Sequence, residues 1–223
     1  MIKIENTETF GWDAAIRGMR NPMNSWGNSD TKYCYEFDSC DLCDISIGQN
    51  DLNLMKRLRN AGTDHRKFMR MIAVYCDVTA PLYWWKEFDT YKVGTVANSC
   101  STMHRLTHKK FELDDFSHEH MNKYSLNVLD LYIIKQLNYC RNLYLAEKDP
   151  EQKKEAWWQM IQLLPSSYNQ KRTVMMNYEV LANIYKSRKG HRLDEWKVIL
   201  DWIESLPYSE LITGEERTFE HFN

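Results

Sequence analysis

The sequence predicts an α+β fold: a small mixed or antiparallel sheet packed by several helices. Two observations carry this. Between residues 49 and 81 the apolar period changes, with Leu52, Met55 and Leu58 recurring at about three-residue steps up to Gly62, before the β-branched run "MRMIAVYCDVTAP". From Ser125 onward the apolar residues keep almost entirely to three- and four-residue steps, the mark of helices burying one face. A helix that feeds a strand, followed by a helical half, is most simply satisfied by a sheet covered by helices.

The elements follow in order. "TETFGWDAAIRGMRNPMNSW" predicts an opening strand and a helix from Trp12 to Met19, stopping at Asn21-Pro22 because proline disfavours helix in the residue before it. The second helix, "GQNDLNLMKRLRNAG", is expected to be capped by Asn50 or Asp51 and ended by Gly62. The strand after it ends at Pro81. In the helical half Leu126, Leu129, Ile133, Leu137, Cys140 and Tyr144 form one stripe of a long helix. "PEQKKEAWWQMIQLL" starts a helix at Pro150 that ends before Pro165. "TVMMNYEVLANIYKSRKG" reads as a further helix closed by Gly190. "LDEWKVILDWIESL" reads as another, with Trp196, Ile199, Leu200 and Ile203 on one face. Residues 1–212 are expected to form a single domain, and 213–223 a frayed charged tail.

The bulk composition excludes several classes. With 29 Lys plus Arg against 31 Asp plus Glu, no global field draws the chain to nucleic acid or an anionic membrane. No run of about 18 apolar residues would span a bilayer, and "MIKIENTETFGW" lacks signal-peptide character, so a soluble cytoplasmic protein is expected. Six irregularly spaced cysteines argue against a disulfide scaffold. Cys34, Cys40 and Cys43 lie close together, but Cys40-x-x-Cys43 is only half a zinc ligand set and no second half follows. His108, His118 and His120 with Asp114 and Asp115 lack metal-ligand helix spacing and read as a polar loop; no metal is expected.

"TAPLYWWKEFDTYKVGTVANSCSTMHR" sets Trp84 and Trp85 beside Lys86, Glu87, Asp89 and Lys92, then runs into small hydroxyl and thiol residues. It reads as the wall of a pocket, in which the tryptophans are either core anchors or stacking surfaces for a planar ligand. "KEFDTYK" is either part of a site or a solvated edge. "HRKFMR", with His65, Arg66, Lys67 and Arg70, is either an anion cradle or a wet strand end.

The blocks from "RLRNAGTDHRKFMRMIAVYCDVTAPLYWWKEF" to "SCSTMHR", and later "LLPSSYNQKRTVMMNYEVLANIYKSRKGHRLDEW", resemble the flavin-dependent thymidylate synthase family, over roughly residues 52–200. The likeness is to a divergent bacteriophage branch with a degenerate Arg-His-Arg signature. Gly62, Ala80-Pro81, Leu164-Pro165, Asn177, Asn183 and Arg188 match the pattern. The charged signature does not: the expected Glu-His falls near Arg70-Met71, Arg-Gln on Lys86-Glu87, Arg-His-Arg on Thr90-Tyr91-Lys92, and its serine on Thr95. Ser-x-Arg falls on Cys100 and Thr102, with Ser99 or Ser101 one place off, the arginine before Leu-Pro on Ile161, and that of Asn-x-Arg on Glu179.

The resemblance implies a site in which Asn177, Asn183, Tyr91 and Lys92 hold FAD. Arg188, Glu87, Thr95 and Arg105 meet a pyrimidine nucleotide, and Cys100 or Ser101 lies near the reacting carbon. It implies reductive methylation of dUMP to dTMP with NADPH and methylene-tetrahydrofolate, a homotetramer, and the host cytoplasm for a phage-encoded chain. Because Ile161 and Thr102 supply no fork for a phosphate, the alternative is a non-catalytic protein on the same fold that sequesters a nucleotide or contacts a host protein. On a continuous helix Asn177 and Arg188, eleven residues apart, would share a face to within about 20°.

Overall fold

A computed structural model describes residues 2–32, 46–103 and 105–214. Cys34, Cys40, Cys43 and the tail beyond Gly214 lie outside the described residues. Strands are β1 (Lys3–Phe10), β2 (Ala73–Pro81), β3 (Val96–Ser99) and β4 (Asn169–Asn177); helices are α1 (Trp12–Arg20), α2 (Gln49–Asn60), α3 (Leu82–Phe88), α4 (Lys123–Val128), α5 (Lys135–Ala146), α6 (Pro150–Leu163), α7 (Tyr178–Arg188), α8 (Glu195–Ser205) and α9 (Glu210–Thr213). The strands form one antiparallel sheet in the order β1-β2-β4-β3. The β2–β4 register is fixed at both ends, where Tyr178 N–H donates to Ile72 C=O at 3.1 Å and Leu82 N–H to Tyr168 C=O at 3.0 Å. The α+β expectation holds.

The chain divides into two compact units, one of residues 1–6, 76–90 and 97–174, the other of 7–75, 91–96 and 175–223. All four strands contribute residues to both.

In the first unit α5 packs along α6. Leu106, Phe111, Phe116, Leu129, Ile134, Leu137, Cys140 and Met160 make its buried cluster. Between α4 and α5 the residues Leu129–Ile134 form a π-helical stretch. Widening the turn by one residue advances the stripe, so Ile134 is buried and Ile133 only half-buried, a shift from the strict three-and-four step. The pair Trp84 and Trp85 sits on α3, with neither side chain exposed at all. They are core: Trp84 stacks on Phe88 at 5.2 Å and meets Trp85 edge to face at 4.9 Å. Trp85 also donates its Nε1–H to Gln170 C=O at 2.9 Å.

In the second unit α1 and α2 pack on the 3-10 turn Arg66–Met71, and α7 packs on that turn, α8 and α9. The helix expected from Thr173 onward begins only at Tyr178, since Thr173–Asn177 completes β4. Burial alternates at Val174 and Met176, the period of a strand, and β2 supplies the pairing partner from about a hundred residues upstream. Strand β2 likewise starts at Ala73, later than its apolar run suggests, because Met69–Met71 belong to the 3-10 turn. Helix α2 takes Gly48 as its N-cap, and its first free N–H groups, those of Asn50 and Asp51, donate to the Asp30 carboxylate at 2.9 and 3.1 Å; Asp51 turns into the core instead of capping.

Candidate functional site

The residues matched to the family pattern fall into both units, and each group is described within its own. In the second unit Asn177 ends β4 and serves as N-cap of α7, its side chain accepting from Val180 N–H at 3.0 Å. Asn177 is extended, with φ −130°, so it is not part of a continuous helix and the shared-face geometry with Arg188 does not apply. The loop opposite it turns at Gly94, with φ +77°; a Cβ there would stand 2.9 Å from Asn177 Nδ2 and 3.1 Å from Val180 Cγ2. Only glycine allows that approach. Next along, Thr95 Oγ1 is buried and has no hydrogen-bond partner among the described residues. A buried orphan hydroxyl costs about 1–3 kcal/mol, and a ligand atom would relieve it. Lys92 in the same loop is exposed.

At the other end of α7 Arg188 is clasped by aromatics. Its Nε–H donates to Tyr91 Oη at 2.9 Å, and the guanidinium lies 4.5 Å from the Trp196 ring centroid and 5.3 Å from that of Tyr91. Tyr91 and Trp196 meet edge to face at 6.2 Å. Arg188 is thereby held in one orientation. The residue missed here is Trp196, whose place on the apolar face of α8 made it indistinguishable from a core anchor.

A second cluster lies on α7 and the 3-10 turn before β2. Glu179, 8 % exposed, pairs with Arg70 through Nε, and Arg66 reaches it from Nε at 3.2 Å while giving its Nη2–H to Asn183 Oδ1 at 3.1 Å. Burial pushes the Glu179 carboxyl upward, but the hydrogen bonds and charges of Arg70 and Arg66 outweigh it and hold it below the ordinary value of 4.5. "HRKFMR" is thus a cradle whose anion is the chain's own carboxylate. The resemblance places an acid near position 70 and an arginine at 179; the chain carries them exchanged, and they are paired. Two departures that read as separate in the sequence meet here in one ion pair.

We expect Glu179→Gln to cost about 1.5–3 kcal/mol at neutral pH, by loss of charge-assisted hydrogen bonds. The native pKa is depressed, so this contribution is present above the ordinary value of 4.5 and lost as pH falls through the lower folded value. Urea unfolding at pH 7 and pH 3 checks it: the difference between wild type and variant should shrink at pH 3.

In the first unit Cys100 follows β3. It is exposed, its N–H donates to Lys171 C=O at 2.9 Å, and its C=O accepts from Gln170 Nε2 at 2.8 Å, so its backbone is pinned to β4. Cys76, in β2, is buried and its thiol is pushed up to about 12, chiefly by burial, which leaves it inert. Ser101 C=O accepts from the Arg105 N–H at 3.2 Å, and the exposed Arg105 guanidinium lies against the His108 ring, 3.4 Å from its nitrogens. Glu87, on α3, has its C=O bound by Thr90 Oγ1–H at 2.8 Å. Ile161, where the family pattern has arginine, packs against the apolar cluster. Among the described residues no group of His, Cys, Asp and Glu is arranged to hold a metal.

No family model matches the sequence, and no curated protein is significantly similar to it. Solved structures are. Flavin-dependent thymidylate synthase ThyX from Helicobacter pylori, complexed with FAD and dUMP, superimposes with a TM-score of 0.66 over 95% of this chain and 98% of its own, at 15% identity. A second structure of that enzyme, also with FAD and dUMP, gives 0.63 over 96% and 98%, again at 15% identity. Sequence likeness at this level is faint, but the superposition covers nearly the whole of both chains. The fold of this chain is that of a flavin-dependent thymidylate synthase.

Proposed function

We propose that this chain binds a flavin, a pyrimidine nucleotide or both. The observation that carries the reading is the nearly complete superposition on an enzyme solved with FAD and dUMP. The orphan Thr95 hydroxyl supports it, because an unpartnered buried donor and acceptor beside the Gly94 turn suits the polar edge of a ring. In this reading Tyr91, Lys92, Asn177 and Asn183 face the flavin, and Arg188, Thr95, Glu87 and Arg105 the nucleotide. Cys100 or Ser101 lies beside the reacting carbon. FAD would supply the hydride chemistry, drawing on NADPH and methylene-tetrahydrofolate for dUMP methylation; a homotetramer of phage origin in the host cytoplasm belongs to the same proposal.

The residues fit a ring better than they fit a pyrophosphate. Arg66 and Arg70 share the one carboxylate of Glu179 and Ile161 packs against an apolar cluster, so among the matched positions of the second unit Lys92 and Arg188 are the cations that would meet a phosphate. These two features favour a second reading, binding without turnover: a nucleotide-sequestering or host-contacting protein.

The test is the visible spectrum of freshly purified protein, with thermal unfolding in the presence of FAD and of dUMP. A flavin band, or a rise of about 5–10 °C at a hundredfold excess over Kd, is expected. Colourless protein unmoved by either ligand overturns the proposal. Conversion of dUMP to dTMP excludes the second reading.

A further inference from the structure

The first unit holds a hollow that none of those residues lines. A cavity of about 360 Å³ lies among Met103, Thr107, Tyr144, Lys153, Lys154 and Trp157, where the loop after Ser101 meets α5 and α6. Its walls combine the apolar and aromatic surfaces of Met103, Tyr144, Pro150 and Trp157 with Thr107 and the two lysines. Its charge is positive.

Each part is held in place. Trp157 donates its Nε1–H to Met103 C=O at 3.0 Å and meets Trp158 edge to face at 4.9 Å. Lys153 carries its ammonium 4.8 Å from the centroid of the Tyr144 ring, so the cation is stationed by the ring and shed of water on that side. Lys154 is exposed. Among the described residues neither lysine is in an ion pair. The acids of the adjoining turn are committed to backbone: Asp149 accepts from Glu151 and Gln152 N–H, and Glu147 from Lys148 and Asp149 N–H.

We propose that this hollow binds a planar aromatic anion, a ring bearing a carboxylate or a phosphate. Aromatic and thioether walls take a flat ring, and each good stacking contact of this kind is worth about 1–3 kcal/mol. Two lysines at one rim serve as point charges, which suit either anion where an arginine fork would select a geometry. The volume sits at the small end of the range for ligand sites, about 300–1,000 Å³, enough for one ring system and its charged group. Lys153, already positioned by Tyr144, loses little freedom on binding.

Titration calorimetry of the full chain tests this with adenosine 5′-monophosphate and indole-3-acetate as the phosphate and carboxylate probes, and with adenosine and inorganic phosphate as controls. At least one charged ring should bind, and the Lys153→Glu/Lys154→Glu variant should weaken it tenfold or more. Both side chains reach solvent, so that variant should fold, which far-ultraviolet circular dichroism checks. Trp157→Leu should weaken the same probe. Equal binding by the double variant, adenosine binding as well as its phosphate, phosphate alone binding as well as the nucleotide, or no binding by any probe at millimolar concentration would each overturn the site. The double variant leaves the flavin and dUMP tests unchanged, so failure here and failure of the proposed function are separable.

Discussion

Replacing Asp51 by alanine is expected to cost about 3–5 kcal/mol, because it strands the buried charge of Arg20. Asp51 has no exposed surface, and the Arg20 side chain is 5% exposed. The carboxylate accepts Arg20 Nε–H at 2.7 Å, Ser29 Oγ–H at 2.7 Å, Thr31 Oγ1–H at 2.6 Å and the N–H groups of Asp30 and Thr31 at 3.2 and 3.1 Å. Arg20 in turn donates to Ser25 C=O at 3.2 Å and Asn28 C=O at 3.1 Å. One carboxylate therefore ties the end of α1, the segment after it and α2 together. In a chain of this length the loss corresponds to a fall in melting temperature of about 6–20 °C. Burial pushes this carboxyl up, while the bonds from Thr31, Ser29 and Arg20 bring it below the usual 3.8 overall. With a depressed folded value, the contribution is present above about pH 4 and disappears as pH falls through that lower value. Thermal melts of wild type and Asp51→Ala should differ most near neutral pH. A difference under 1 kcal/mol at pH 7 would show that the network carries no stability.

Asp51 also marks a limit of sequence reading. An aspartate in the first turn of a helix is sensibly read as a cap, and here Gly48 caps while Asp51 serves partners some twenty and thirty residues upstream. The helices themselves were legible wherever period, proline and glycine agreed: α1, α2, α6 and α8 all lie where their apolar stripes put them. What failed was β4. Thr173–Asn177 continues into α7 without a proline or glycine between, and methionine serves either period, so only the pairing with β2 decides it. The site follows the same division. Asn177 and Arg188 could be named from the family pattern, whereas the clasp on Arg188, the approach of Gly94 to Asn177 and the exchange of charge between Arg70 and Glu179 are facts of packing. A linear sequence prints Arg70 and Glu179 as unrelated departures from a signature; the fold makes them one contact.

Trp85→Ala should cost about 3–5 kcal/mol, and Trp85→Phe distinctly less. Trp85 has the charged neighbours and the flat ring expected of a pocket wall, yet the ring is fully buried and its contacts are all internal. The Arg172 guanidinium lies over it at 4.1 Å and is itself fixed by Asp89 at 2.8 Å, while Phe88 meets it edge on at 5.3 Å. Arg172, reaching across from β4, uses the ring as its floor and is anchored by Asp89, one of the charges beside this tryptophan in the sequence. Alanine removes the ring, the bond to Gln170 C=O and the seat of Arg172 together; phenylalanine keeps an aromatic face and loses the indole N–H and part of the volume. The Gln170 carbonyl then loses the indole as a donor, which adds to the cavity in either variant. Because Gln170 also bonds Cys100 C=O, disturbance there should spread to β3 and raise the rate at which Cys100 reacts with a thiol reagent. Chemical denaturation measures the stability and reagent kinetics the spread. If Trp85→Ala unfolds with wild-type stability and Cys100 keeps its rate, the tryptophan is dispensable to the core and the ring is free to be what its neighbours suggested, a surface for a ligand.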